Sequence, residues 1–150
     1  MVDAAITDQN VTVNWNADGT VPLLLSFPHS GTRYPDDFGY APGLAFNVID
    51  YPSDRYVDEL FAHGDVLGLS SIRANFPRAY IDVNRHQHDI DQTMLEEPER
   101  WYGRLQPTAL LNGTTLFWSR AKETAIYDRK LSHAEANRRR KASPIVVSAW

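Results

Sequence analysis

Four prolines, Pro28, Pro35, Pro42 and Pro52, punctuate residues 28–52, and three glycines stand among them. Proline lacks the amide hydrogen that a helix interior or a central strand uses, and its ring fixes φ. This stretch therefore reads as a long loop, and long loops in compact domains often carry function. The run before it has the opposite character. Leu23-Leu24-Leu25-Ser26-Phe27 is apolar, bounded by turn residues, and reads as a buried strand. The chain leaves that strand directly into Pro28-His29-Ser30-Gly31. In α/β domains the loop at a strand end is where ligands and catalytic groups are placed.

The remaining elements follow from periodicity. Val11, Val13 and Trp15 alternate with polar residues and end at the turn signal Asn16-Ala17-Asp18-Gly19, which predicts a hairpin with 21–27. Ser53 reads as an N-cap with Asp54 in the first turn, Val57, Leu60 and Phe61 as an apolar stripe, and Gly64 as the stop. Such a helix would place Asp54 and Asp58 on one flank and pair Arg55 with Glu59. Leu67–Ala74 reads as a second buried strand and Tyr80–Asn84 as a third, while residues 86–125 are weakly patterned and loop-rich. Ser132-His133-Ala134-Glu135 is a capping box opening a basic helix that Pro144 stops, and Ile145-Val146-Val147 would begin another strand. Arg138-Arg139-Arg140-Lys141 reads as the solvated end of that helix. Strands flanked by helices, without repeats or a linker, indicate a single α/β domain over residues 1–150.

Composition narrows the chemistry. A hydrophobic share of 43% supports a core, and a net charge of −4 argues against a nucleic-acid partner. There is no cysteine, so any metal must be held by His, Asp and Glu. The first residues carry no secretory signal pattern and no apolar run reaches the length of a membrane span, so a cytoplasmic protein with no membrane partner is expected.

His29 is the best-placed imidazole, as a metal ligand, a general base, or simply a loop residue capping a strand. With a carboxylate from Asp54 or Asp58 it would give two ligands of the type catalytic zinc uses, where three protein ligands are normal. Ser30 is a poor nucleophile candidate, because neighbours in an extended segment point apart and no G-x-S-x-G elbow is present. His86 and His88 form either a metal pair or a solvated loop. Arg78 and Arg85 bracket the third predicted strand. With Asn84 they could grip a substrate carboxylate bidentately, or they are surface residues paired with acids such as Asp82 or Asp89.

Taken in order, Pro28-His29-Ser30-Gly31-Thr32, the segment Ser53 to Phe61, Phe76-Pro77-Arg78, and Asp82-Val83-Asn84-Arg85 through Asp89 to Leu95 resemble the N-formylglutamate amidohydrolase (deformylase) family. The stretch from Ala125 to Glu135 resembles that family's tyrosine-containing segment before a helix. The resemblance is to the family's N-terminal half. It implies a partial mixed sheet with flanking helices, similar to the zinc carboxypeptidase or phosphorylase-hydrolase-like fold. It also implies zinc-dependent cleavage of N-formyl-L-glutamate to formate and L-glutamate in histidine degradation. His29 would be the first metal ligand, Asp54 the carboxylate ligand, and Asn84 and Arg85, assisted by Arg78, the grip on a small acidic substrate.

Nothing after His133 matches the Asp-x-His-Ser motif that supplies the family's second histidine ligand, and the family's Pro-Tyr-His helix is also missing. The expectation is therefore a chain truncated at its C-terminus, with zinc held weakly or not at all, and inactive alone. Two alternatives stand beside it. One is a hydrolase completing its site with His86, His88 or a partner subunit; the other is a non-catalytic module binding small acidic N-acyl amino acids. Exposed strand edges would favour self-association.

Overall fold

Ser70–Ala74 is the strand around which the sheet is built. The computed structural model describes residues 4–7, 10–19, 21–101 and 107–142. Strands β1 (Ala4–Thr7), β2 (Val11–Trp15), β3 (Leu24–Phe27) and β4 (Ser70–Ala74) form one mixed sheet in the order β1-β2-β4-β3. β4 runs antiparallel to β2, with Val13 opposite Ile72, and parallel to β3, with Leu25 opposite Ser71. The predicted hairpin of β2 with 21–27 is therefore absent: β4 lies between them. The turn at Asn16–Gly19 does form, with Gly19 N–H donating to the Asn16 carbonyl at 3.2 Å. Long-range matching decides the pairing instead. Asn14 Nδ2 donates to Ser71 Oγ at 3.2 Å and the Asn16 amide to Ser70 Oγ at 3.1 Å, while Val11 and Val13 sit opposite Ala74 and Ile72.

The run at 23–27 yields a strand, β3, that is mostly exposed and not buried, and it stands at the sheet's edge among the described residues. Leu24 is 56% exposed and only Phe27 of β3 is buried. Two further expectations fail locally. The long loop 28–52 contains a short helix, α1 (Phe46–Asp50). The helix predicted from Ser53 starts later, as α2 (Val57–Leu60), followed by a 3-10 turn at Ala62–Gly64. Tyr80–Asn84 is irregular, not a strand. The Tyr80 amide turns back to the Pro77 carbonyl at 3.0 Å and the Arg85 amide to that of Asp82 at 3.0 Å. The Asp82 side chain takes up the Asn84 amide at 3.0 Å, which satisfies backbone without a sheet partner.

The hydrophobic core lies mostly outside the sheet. Phe38, Ile49, Ile81, Leu95, Phe117 and Leu131 are all essentially inaccessible and belong to one cluster, to which the sheet contributes Ala74. Leu116 ties two irregular segments together, accepting from the Asp82 amide at 2.8 Å and donating to the Asp89 carbonyl at 2.7 Å. The weakly patterned region holds α3 (Pro107–Asn112) and a small hairpin of β5 (Arg120–Ala121) and β6 (Thr124–Ala125).

Helix α4 (His133–Ala142) begins as its capping box predicts, with the Glu135 amide donating to Ser132 Oγ at 3.2 Å. Its basic end is not simply solvated. Arg139 is fully buried, over the Tyr80 ring at 4.5 Å, and donates to the Phe38 carbonyl at 2.7 Å and to Glu135. The planar guanidinium can stack on aromatics while its edge hydrogens find acceptors, which suits it to this burial. Pro144 and Ile145–Val147 lie outside the described residues. No helix among the described residues is long and apolar enough to cross a membrane.

Candidate active site

His29 stands two residues beyond β3, and three contacts fix its loop. The His29 carbonyl accepts the Asp54 amide at 2.9 Å, and Ser30 Oγ donates to the Asp54 carbonyl at 3.0 Å. Gly31 abuts the backbone after β4 so closely that a Cβ there would lie 2.3 Å from the Phe76 carbonyl oxygen. These bonds hold residue 54 against the His29 loop and delay the helix to Val57. Tyr56, in between, takes a left-handed conformation with φ +66°.

The His29 ring is buried between two carboxylates. Nε2 lies 2.9 Å from Asp82 Oδ1, and Nδ1 lies 3.1 Å from Asp54 Oδ2. Asp82 is fully buried and is the hub of the site. Beyond His29, it accepts from Arg78 Nε at 2.9 Å, from Trp118 Nε1 at 3.1 Å and from the Asn84 amide at 3.0 Å. Burial pushes its carboxyl up, but the bond from His29 and the charge of Arg78 outweigh this and bring it down to about 2. An ionised Asp82 places a proton on His29 Nε2.

In a neutral ring, Nδ1 then presents a lone pair to an Asp54 oxygen that is itself an acceptor. A cation between the two resolves the clash: a second ring proton, or a metal ion. Imidazole and carboxylate are the donor types of catalytic zinc, and a buried carboxylate on the far ring nitrogen is the usual support of a metal-bound histidine. The pair fits two of the three protein positions of such a centre. No group of three His, Asp or Glu side chains suited to a metal occurs among the described residues.

The other predicted residues sort clearly. Asp58 does not share a flank with Asp54; it pairs with Arg73 at 2.6 Å. Arg55 pairs with Asp50 at 2.6 Å and not with Glu59. Ser30 is committed to the Asp54 carbonyl, and both nitrogens of His29 are engaged elsewhere, so no Ser-His pair exists. His86 and His88 are in tilted ring contact, with His88 tilted against Trp101 and Trp101 edge-on to His133, at centroid distances of 5.5, 5.9 and 6.0 Å. Among the described residues this row of rings forms no metal-binding group with His29.

Arg78 and Arg85 do converge, on Asp82. Arg78 also lies over the Trp118 ring at 5.1 Å. Arg85 Nε is 3.7 Å from Asp82 Oδ2, is buried and has no hydrogen-bond partner, and its other end makes a long 3.4 Å contact to Thr114 Oγ1. Asn84 is exposed at the same place. A cleft of about 360 Å³ opens beside the His29 loop, lined by Ser30, Gly31, Arg55, Tyr56, Arg73 and Asn75 among others. Arg78, Asn84 and Arg85 do not line it.

Sequence reasoning missed Asp82 and Trp118 as site residues. The available signal was an acid flanked by arginines at i−4 and i+3, which reads equally well as a surface ion pair. Nothing local marks Trp118.

Comparison with known proteins places this geometry in context. Residues 21–143 match the family profile described as N-formylglutamate amidohydrolase. A crystal structure of N-formylglutamate amidohydrolase from Ralstonia eutropha JMP134 superposes on 93% of the chain with a TM-score of 0.77 and 36% identity. An N-formylglutamate deformylase from Pseudomonas putida is 35% identical over 72 residues, and one from Pseudomonas aeruginosa is 30% identical over 76. The chain spans 52% of the Ralstonia chain, and the matched stretches amount to 26% of each Pseudomonas protein.

Proposed function

Because the chain belongs to the N-formylglutamate amidohydrolase family, we propose that this site serves the hydrolysis of N-formyl-L-glutamate to formate and L-glutamate. The observation that carries the reading is the convergence on Asp82. One buried carboxylate holds the imidazole of His29 and the guanidinium of Arg78, with Arg85 and Asn84 beside them. The parallel strand pair β3/β4, with the His29 loop at its end, is also what a carboxypeptidase-like zinc hydrolase would require.

In this reading His29 Nδ1 and Asp54 Oδ2 would hold zinc, together with one further ligand. Zinc bound there would supply Lewis acidity at the formyl carbonyl and an activated water. The rest is done by the chain. Asp82 keeps the proton of His29 on Nε2, so that the Nδ1 lone pair faces outward beside Asp54. Arg85, with a buried Nε lacking a partner, and Asn84 take a substrate carboxylate, and Arg78 adds positive charge next to it. Overall, water adds to the formyl carbon, the C–N bond breaks, and the glutamate amine leaves with a proton.

A second reading is a module that binds small acidic N-acyl amino acids without turning them over. It is favoured by the lack of a third metal-ligating side chain among the described residues. Binding by calorimetry and formate release, measured together on one zinc-supplemented sample, separate the two. The amidohydrolase reading, which here parts from the expectation of an inactive chain, expects both signals, and both lost in Arg85→Ala and His29→Ala. Binding without formate supports the module. A sample that neither binds nor hydrolyses N-formyl-L-glutamate refutes both.

A further inference from the structure

Asp82 gathers its partners from two segments that are not strands. Arg78 and Asn84 share residues 76–85 with Asp82 itself, whereas Trp118 comes from residues 115–118. The Asp82 amide bonds the Leu116 carbonyl between them, but no ladder of backbone bonds sets their spacing. Side chains packed behind the hub must do so.

Arg139 stands there, fully buried on α4. Its guanidinium carbon lies 4.5 Å from the centre of the Tyr80 ring and 5.8 Å from that of Phe117. Tyr80 precedes Asp82 by two positions, and Phe117 adjoins Trp118. One buried cation therefore meets both segments close to where their side chains join, Trp118 Nε1 and Asp82 Oδ2 at 3.1 Å.

The guanidinium is anchored away from the hub. It donates to the Tyr127 hydroxyl at 2.9 Å, to the Phe38 carbonyl at 2.7 Å and to Glu135. Stability alone does not call for an ion here, because apolar side chains of similar volume often replace a buried ion pair without loss. Arg139 Nε is also buried without a hydrogen-bond partner among the described residues, a cost that an apolar side chain would not carry. What the planar cation adds is direction. It can face aromatic rings while its edge bonds fixed acceptors.

We propose that Arg139 is a positioning residue: through Tyr80 and Phe117 it holds the Asp82 segment against Trp118. It acts through those rings and not on the reacting groups. That this serves hydrolysis rests on the function proposed above. The placement of the hub does not, and its test uses neither zinc nor turnover.

Hydrogen exchange of the Trp118 indole N–H, assigned with Trp118→Phe, reports on the hub, and the amides of β4 report on the rest of the fold. Arg139→Lys keeps a charge beside Glu135 but loses the planar fork. The expected result is Trp118 exchange at least about tenfold faster, with β4 amides within about twofold of the parent. A folded Arg139→Lys whose Trp118 exchange rises less than this overturns the proposal. Acceleration of β4 beyond that limit also overturns it, since the guanidinium then supports the whole fold. If Arg139→Lys does not fold, the double variant Glu135→Met with Arg139→Met, which removes both charges of the pair, is read by the same two criteria. Failure of both to fold overturns the proposal in favour of a purely structural arginine.

Discussion

His29 Nε2 and Asp82 Oδ1 are 2.9 Å apart, and the bond joins groups separated by 53 positions in the chain. It links the loop after β3 to an irregular buried segment, and it gives the imidazole a defined orientation. Because Asp82 also receives Arg78, Trp118 and the Asn84 amide, removing one side chain disturbs the whole constellation.

Asp82→Asn should therefore destabilise the fold. The guanidinium of Arg78 would lose its buried counter-charge, and breaking such a pair costs about 3–5 kcal/mol. If His29 and Asp54 hold zinc as proposed, affinity for it should fall about 10–100-fold as His29 loses its support. Urea denaturation and competition with a chelator read the two effects. Unchanged stability would contradict the role of Asp82 as hub.

Gly31→Ala should be worse tolerated than its size suggests. The new methyl would meet the Phe76 carbonyl oxygen at 2.3 Å and the Ala74 carbonyl oxygen at 2.6 Å, both backbone atoms that cannot swing aside. A loss of about 3 kcal/mol or more, or failure to accumulate soluble protein, is expected. Gly43→Ala is the control. That position has φ +78° but open space around it, so only the cost of a left-handed alanine, about 1 kcal/mol, should appear.

Tyr56→Gly should stabilise the protein. Tyr56 holds φ +66° and the residue is 61% exposed, so the ring contributes little burial while its Cβ strains the backbone. A gain of about 1 kcal/mol, or ~2–4 °C in Tm, is expected by calorimetry. A drop in Tm would mean that the ring contributes more than its exposure indicates.

Acid should loosen α4 through Glu135. Burial pushes its carboxyl up, but the bond from Arg129 and the charge of Arg139 outweigh this and hold it below its ordinary value of 4.5. A carboxyl lowered in the folded state stabilises above its unfolded pKa and loses that contribution as pH falls through the folded one. Stability should therefore decline as pH drops below about 4.5, and Glu135→Gln should flatten that part of the profile. Thermal midpoints between pH 3 and 6, on the order of one point per half unit, make the comparison. A parallel decline in the variant would place the acid sensitivity elsewhere.

Local chemistry made part of this protein legible from its residues alone. The strand at Leu24–Phe27, the loop bearing His29 after it, and the Ser132 cap of α4 all follow from signals a few residues long. The ordered motifs from Pro28 to Leu95 were enough to indicate the family. Where a short-range signal met a long-range partner, the partner prevailed. Asp54 left its predicted helix because the His29 loop claims its backbone. Arg139 left the solvent because an aromatic cage and Glu135 satisfy its charge.

The sequence by itself determined which residue types stand where a strand ends: His29, an acid 25 positions on, and two arginines about a short segment. Tertiary structure alone decided that Asp54 and not Asp58 faces the imidazole, that Asp82 gathers the arginines, and that β3 has no outer strand partner among the described residues. The reason is physical. Periodicity and turn chemistry act over a few residues, whereas pairing of buried charges and strand edges is settled between groups that only folding brings together.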